Sequence, residues 1–164
     1  MKEKILLVDD ESSIRESLTK VLHAENYEVV AAENGQDAIE KFGAEKIDLL
    51  LLDLGLPLKD GWDTLKWLAE VNPLLPVIII TGRYQQRELA EKAGADALMD
   101  KPLDVPRLLQ MIRELIDEPL EYRAQRASNR PSRFRYSSCD NELFCKMLSK
   151  KFTTPYEFHR IKDT

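Results

Sequence analysis

The chain is poor in cysteine. Cys139 and Cys145 are the only two in 164 residues, too few for the disulfide framework that stabilises many small secreted domains. With His159 they make three potential metal ligands, but the spacing matches no zinc pattern and a fourth ligand is missing. Long apolar runs are lacking as well. The longest candidate, Leu74 to Ile80, is interrupted by Pro76 and is far too short to span a bilayer, so no membrane contact is expected. No charged-then-apolar leader with a small-residue cleavage site opens the chain, and the expectation is a cytoplasmic protein.

What is present is the composition of a globular domain with a skewed charge. The formal net charge is −5, but residues 1–118 carry 14 basic against 24 acidic side chains and residues 119–164 carry 10 against 5. An acidic body of −10 and a basic tail of +5 imply different tasks or partners.

The stretch from Ile47 to Pro57 organises the body. Its continuous apolar run ends abruptly in Asp53 and then Gly55 and Pro57, the pattern of a strand buried on both faces that delivers a carboxylate to the open end of a parallel sheet. Around it, strands and helices alternate. Ile5 to Val8 is a strand ending in Asp9-Asp10-Glu11, with Ser12 and Ser13 as helix N-caps and Ile14, Leu18, Val21 and Leu22 as one helical stripe. Glu28 to Ala32 is a second strand, and Ala38, Ile39 and Phe42 mark a second helix after Asn34-Gly35. Beyond Asp53, Asp60-Gly61 makes a turn, and Leu65, Leu68 and Val71 a third helix. Pro76 to Thr81 is a fourth strand, followed by a helix from about Gln85 to Ala93 that Gly94 closes. Ala97 to Asp100 is a fifth strand, and Asp104 caps a last helix with the stripe Val105, Leu108, Leu109, Ile112, Leu115 and Ile116.

Strict alternation implies an α/β fold, a doubly wound parallel sheet with right-handed crossovers and helices on both faces. Ligands of such sheets bind outside the carboxyl ends of the strands, and that rule gathers Asp9, Asp10, Asp53, Thr81 and Lys101 at one rim. Crowded carboxylates need a cation. An oxygen-only donor set with no His or Cys nearby points to Mg²⁺. A Mg²⁺, an ammonium and a hydroxyl around a carboxylate are what phosphoryl transfer to that carboxylate requires, with Asp53 as the nucleophile.

The ordered set Asp9-Asp10, Asp53 in Asp-Leu-Gly-Leu-Pro, Asp60-Gly61, Thr81-Gly82 and Lys101-Pro102 resembles the receiver domain of two-component response regulators over residues 4–118. The resemblance implies a flavodoxin-like five-stranded sheet of order 2-1-3-4-5 and a phosphoacceptor signalling domain, not an enzyme with an external substrate. It implies that Asp53 takes a phosphoryl group from a histidine kinase or phosphotransfer protein. Asp10, Asp53 and the backbone carbonyl of Gly55 then bind Mg²⁺ directly, with Asp9 acting mainly through water. Lys101 pairs with the phosphoryl oxygens, Thr81 swings inward to them, and the Lys101-Pro102 bond is cis. One departure is Leu98, where many members of the family carry an aromatic that moves with the Thr; a core role is expected for it. Gly55 and Arg83 stand where the lifetime of the phosphoryl group is tuned, and Arg83 is a candidate contact.

The expected division is a receiver domain at 1–118, a flexible basic linker at 119–139 and a short helical extension at 140–164 that is not a complete DNA-binding domain. Arg123, Arg126, Arg130, Arg133 and Arg135 give the linker its charge, and Asp140 can cap a helix through Lys151. Output through an unidentified downstream protein, with homodimerisation open, is the leading expectation. The alternative is phosphorylation-controlled binding of nucleic acid through Arg123 to Arg135.

Overall fold

Leu49, Leu50, Leu51 and Leu52 are inaccessible to solvent, as the unbroken apolar run requires of a strand covered on both faces. The structure, a computed structural model, describes residues 1–56, 61–83, 85–128 and 134–138, except for the side chain of Arg126. Pro57, Asp60, Arg130, Arg133, Cys139, Cys145, His159 and the helix expected from Asp140 to Lys151 lie outside the described residues.

Five βα units run in order: β1 (Lys4–Val8), α1 (Ser12–Ala24), β2 (Glu28–Ala32), α2 (Gly35–Ala44), β3 (Leu49–Asp53), α3 (Gly61–Val71), β4 (Val77–Thr81), α4 (Arg87–Lys92), β5 (Ala97–Asp100) and α5 (Val105–Ile116). Two further elements follow, α6 (Leu120–Ala127) and β6 (Arg135–Ser137). All strands are parallel, in the order β2-β1-β3-β4-β5-β6. The expected five-strand order is therefore present and is extended at the β5 edge by a sixth strand.

Side chains alternate across the sheet and divide the core in two. Leu6, Val8, Leu50, Leu52, Ile79 and Leu98 pack with α2, α3 and α4 on one face. Ile5, Leu7, Leu49, Leu51, Ile78 and Met99 pack with α1 and α5 on the other. Helices on both faces leave the ends of the strands open.

Local details depart from the expected ones where a side chain captures the backbone first. The Glu11 amide donates to Asp9 Oδ1 at 2.9 Å, so the chain turns early and α1 begins at Ser12, with Glu11 and not a serine at its cap position. Gln85 takes a positive φ of 58°, and α4 starts only at Arg87. Val71 is exposed, and the inner face of α3 is Thr64, Leu65 and Leu68. Asn34 caps α2 and Asp104 caps α5 through their side-chain oxygens. Gly94, at φ 87°, ends the α4 turn as expected.

The segment expected as a flexible linker at 119–139 contains α6 and β6. Polar contacts, with one apolar side chain, hold it. The Arg123 guanidinium donates to the Leu115 and Ile116 carbonyls at 2.9 and 2.6 Å, tying α6 to the end of α5. Arg135 Nε donates to Glu114 Oε2 at 2.9 Å, its amide to the Asp96 carbonyl at 3.1 Å, and Phe134 packs against the core. A basic composition reads as solvated until its acidic partners on α5 are in view.

Candidate functional site

Asp9 follows the last residue of β1, Asp53 ends β3, Thr81 ends β4 and Lys101 follows β5. The shared register of these strands brings the four positions to one rim. The side chains converge. Carboxylate oxygens of Asp9, Asp10 and Asp53 lie within 4.8 Å of one another. Lys101 Nζ lies 3.0 Å from Asp9 Oδ2 and 2.9 Å from Asp53 Oδ2, bridging the two buried carboxylates, while Asp10 faces solvent.

One ammonium does not offset this much buried negative charge. Burial raises the Asp9 pKa above the ordinary carboxylate value, against the Lys101 charge and the Glu11 amide, with Asp53 adding to the rise. For Lys101, burial pulls the pKa down, but Asp53 and Asp9 outweigh it and the net shift is upward. The two partners respond differently because Asp9 is 1% exposed and shares its cation, whereas Lys101 has two anions to itself. The donor set is oxygen-only and carries a deficit of positive charge, which fits a hard divalent cation.

The loop after β3 is shaped around Asp53. The Gly55 amide donates to Asp53 Oδ1 at 2.8 Å, and a Cβ on Gly55 would stand 3.4 Å from that oxygen. Thr81 is buried at the rim, but its Oγ1 accepts from the Arg83 amide at 2.9 Å. Arg83 itself is exposed. Leu98 is 1% exposed within the core, the role expected for it. The Lys101-Pro102 bond is cis, also as expected, and the Lys101 amide donates to the Thr81 carbonyl at 2.8 Å.

Arg15 was not legible from the sequence. Its guanidinium reaches back from α1 to the Asp9 carbonyl at 2.7 Å and fixes the acidic turn. An Arg in the first turn after an Asp-Asp pair is the only signal, and it is equally the mark of a solvated helix face. Of the arginines proposed for nucleic acid, Arg123 and Arg135 are occupied by carbonyls and by Glu114 and Glu118. Among the described residues, no helix is long and apolar enough to cross a membrane.

Known proteins share this fold. The family model of the response regulator receiver domain matches residues 5–113. Response regulator MprA of Mycobacterium ulcerans is 34% identical over 118 residues, 71% of this chain and 51% of MprA. Transcriptional regulatory protein CpxR of Escherichia coli is 38% identical over 115 residues, 69% of this chain and 49% of CpxR. The chain thus spans about half the length of the curated relatives it matches. A CheY-like receiver domain from Methanospirillum hungatei superposes with a TM-score of 0.69 at 32% identity, covering 74% of this chain and 98% of its own. Response regulator TrrA of Thermotoga maritima, solved with Mg²⁺ and beryllium fluoride, gives 0.65 at 32% identity, covering 69% and 98%.

Proposed function

The chain belongs to the response regulator receiver domain family, and from that premise we propose that Asp53 is its phosphoacceptor. Receiver domains of this family are signalling domains that accept a phosphoryl group. The observation that carries the residue assignment is the Lys101 bridge between Asp9 and Asp53 at the strand ends.

A carboxylate oxygen of Asp53 forms the O–P bond as the N–P bond of a kinase phosphohistidine breaks, and the leaving imidazole regains its neutral form. Asp10, Asp53 and the Gly55 carbonyl would hold Mg²⁺, with Asp9 acting through water. When bound, the ion neutralises charge on the phosphoryl oxygens. Lys101 gives up part of its hold on the two carboxylates to bind a phosphoryl oxygen. Thr81 exchanges its Arg83 partner for another, turning its hydroxyl to donate. Arg83 is long and cationic enough to cover the phosphoryl group, whereas Gly55 offers no side chain over Asp53 to keep a hydrolytic water away. Self-phosphorylation, from the phosphohistidine or a small phosphodonor, and self-dephosphorylation are the only reactions, in the cytoplasm, with output through a downstream protein.

The test is intact mass after incubation with acetyl phosphate and Mg²⁺, beside Asp53→Asn and a metal-free control. A gain of one phosphoryl group that requires both Asp53 and the metal is the expected result. No gain with acetyl phosphate or with a kinase as donor would refute it.

A further inference from the structure

Two routes lead away from the acidic rim along the backbone, and both end on one side chain. The first runs through β5. Lys101, which bridges Asp9 and Asp53, follows directly on Asp100, and Asp100 is paired in register with Thr81. The Asp100 carboxylate accepts a 2.8 Å hydrogen bond from the Tyr136 hydroxyl on β6. The second runs through the loop after β4. Thr81 Oγ1 holds the Arg83 amide, that loop leads to the start of α4 at Arg87, and the Arg87 guanidinium lies 5.2 Å from the centre of the Tyr136 ring.

Its side-chain anchors apart, the strand that carries Tyr136 is weakly held. It has three residues, sits at the edge of the sheet and runs parallel to β5. Tyr136 itself is 37% exposed. Three side chains anchor it and the residue before it: Tyr136 to Asp100 and Arg87, Arg135 to Glu114, and Phe134 to the core. An edge strand this short opens readily if its anchors move, because few ladder bonds oppose the gain in chain entropy.

We propose that β6 is a detachable strap on the β5 edge, and that the state of Asp53 sets its hold through the convergence of the Asp100 and Arg87 contacts on Tyr136. The inference rests on Asp53 as phosphoacceptor. With Asp53 free, Lys101 sits between two carboxylates and Thr81 is engaged with Arg83, and both Tyr136 contacts are made. A phosphoryl group on Asp53 draws Lys101 and the Thr81 hydroxyl toward its oxygens. Asp100 and the start of α4 follow, and a 2.8 Å hydrogen bond and a ring contact fitted to the earlier arrangement are lost together. The strap leaves, and the backbone edge of Ala97 to Met99 loses its pairing with Arg135 to Ser137.

The test is hydrogen exchange on the full chain before and after acetyl phosphate and Mg²⁺, with intact mass read on the same samples. Amides of Arg135 to Ser137 are expected to exchange about tenfold faster in the phosphorylated protein while those of β3 stay unchanged. Tyr136→Phe keeps the ring on Arg87 but removes the bond to Asp100, and Arg87→Ala does the reverse. Each is expected to loosen β6 without phosphorylation and to shrink the further gain on phosphorylation. A full phosphoryl gain by mass with unchanged β6 exchange would overturn the strap and leave the phosphoacceptor reading intact. Failure of Asp53 to take the phosphoryl group would overturn both.

Discussion

Lys101 Nζ lies 2.9 Å from Asp53 Oδ2, joining the ends of two strands that are not neighbours in the sheet. The ammonium also reaches Asp9, just past the end of β1, so one side chain is shared by two converging carboxylates. It is 19% exposed, which shields the pairing from bulk water.

Replacing that ammonium leaves two buried carboxylates with no cation. Lys101→Met is expected to lower stability by about 2 kcal/mol at neutral pH in metal-free buffer, and millimolar Mg²⁺ is expected to recover part of the loss. Urea denaturation with and without Mg²⁺ checks this. Equal losses in both buffers would show that the carboxylates do not share a metal-responsive site.

Two glycines near Asp53 differ in the room around them. A Cβ on Gly61 would stand 2.7 Å from Leu54 Cα and 2.9 Å from the Asp53 carbonyl, both backbone atoms that cannot step aside. On Gly55 it would meet only the Asp53 side chain, at 3.4 Å. Gly61→Ala is therefore expected to cost about 2 kcal/mol, and Gly55→Ala under about 1 kcal/mol. Chemical denaturation of the two variants side by side decides it.

Arg123 closes the last turn of α5 by donating to two carbonyls that have no helical partner. Arg123→Ala is expected to lower stability by about 1.5 kcal/mol and to speed exchange in α6. Arg123→Lys, with a single donor head, recovers only part of this. A linker with no role in the fold would show no effect.

Tyr136 gives a pH signature. Its burial and the Asp100 carboxylate hold the phenol proton, against the Arg87 charge, and push its pKa from 10.0 up to about 12. Above the ordinary tyrosine value the unfolded chain loses this proton while the folded chain keeps it. The contribution to stability is thus complete below pH about 10 and is lost as pH rises through about 12. The phenolate absorbance of wild type minus Tyr136→Phe is expected to titrate near that upper value. A midpoint at the ordinary value would mean that the hydroxyl does not hold Asp100.

The sequence marks the rim well because each polar residue there interrupts an apolar run. Asp9 ends Leu6-Leu7-Val8, Asp53 ends four leucines and Thr81 ends Val77 to Ile80, so strand ends and candidate ligands are read together. The edge is another matter. Arg135 and Tyr136 are held by Glu114 and Asp100, partners distant in sequence and on the solvent side of their own elements, and no periodicity announces them. Leu98 was legible as core, but its register partner Tyr136 was not, because a three-residue strand is too short to alternate. Arg15 escaped for a similar reason, since its target is a main-chain carbonyl and not a side chain.

β3 has neighbours on both sides, solvent-inaccessible leucines and Asp53 as its final residue. Its surroundings make it the part of the domain least able to yield. The phosphoacceptor role proposed for Asp53 would make it an anvil: whatever strikes it, displacement is thrown outward to β4, β5 and the loops beyond them. The same rigidity insulates chemistry from elaboration. Segments added to or lost from the far edge can change what the domain tells its surroundings while the Asp53 carboxylate stays where it is.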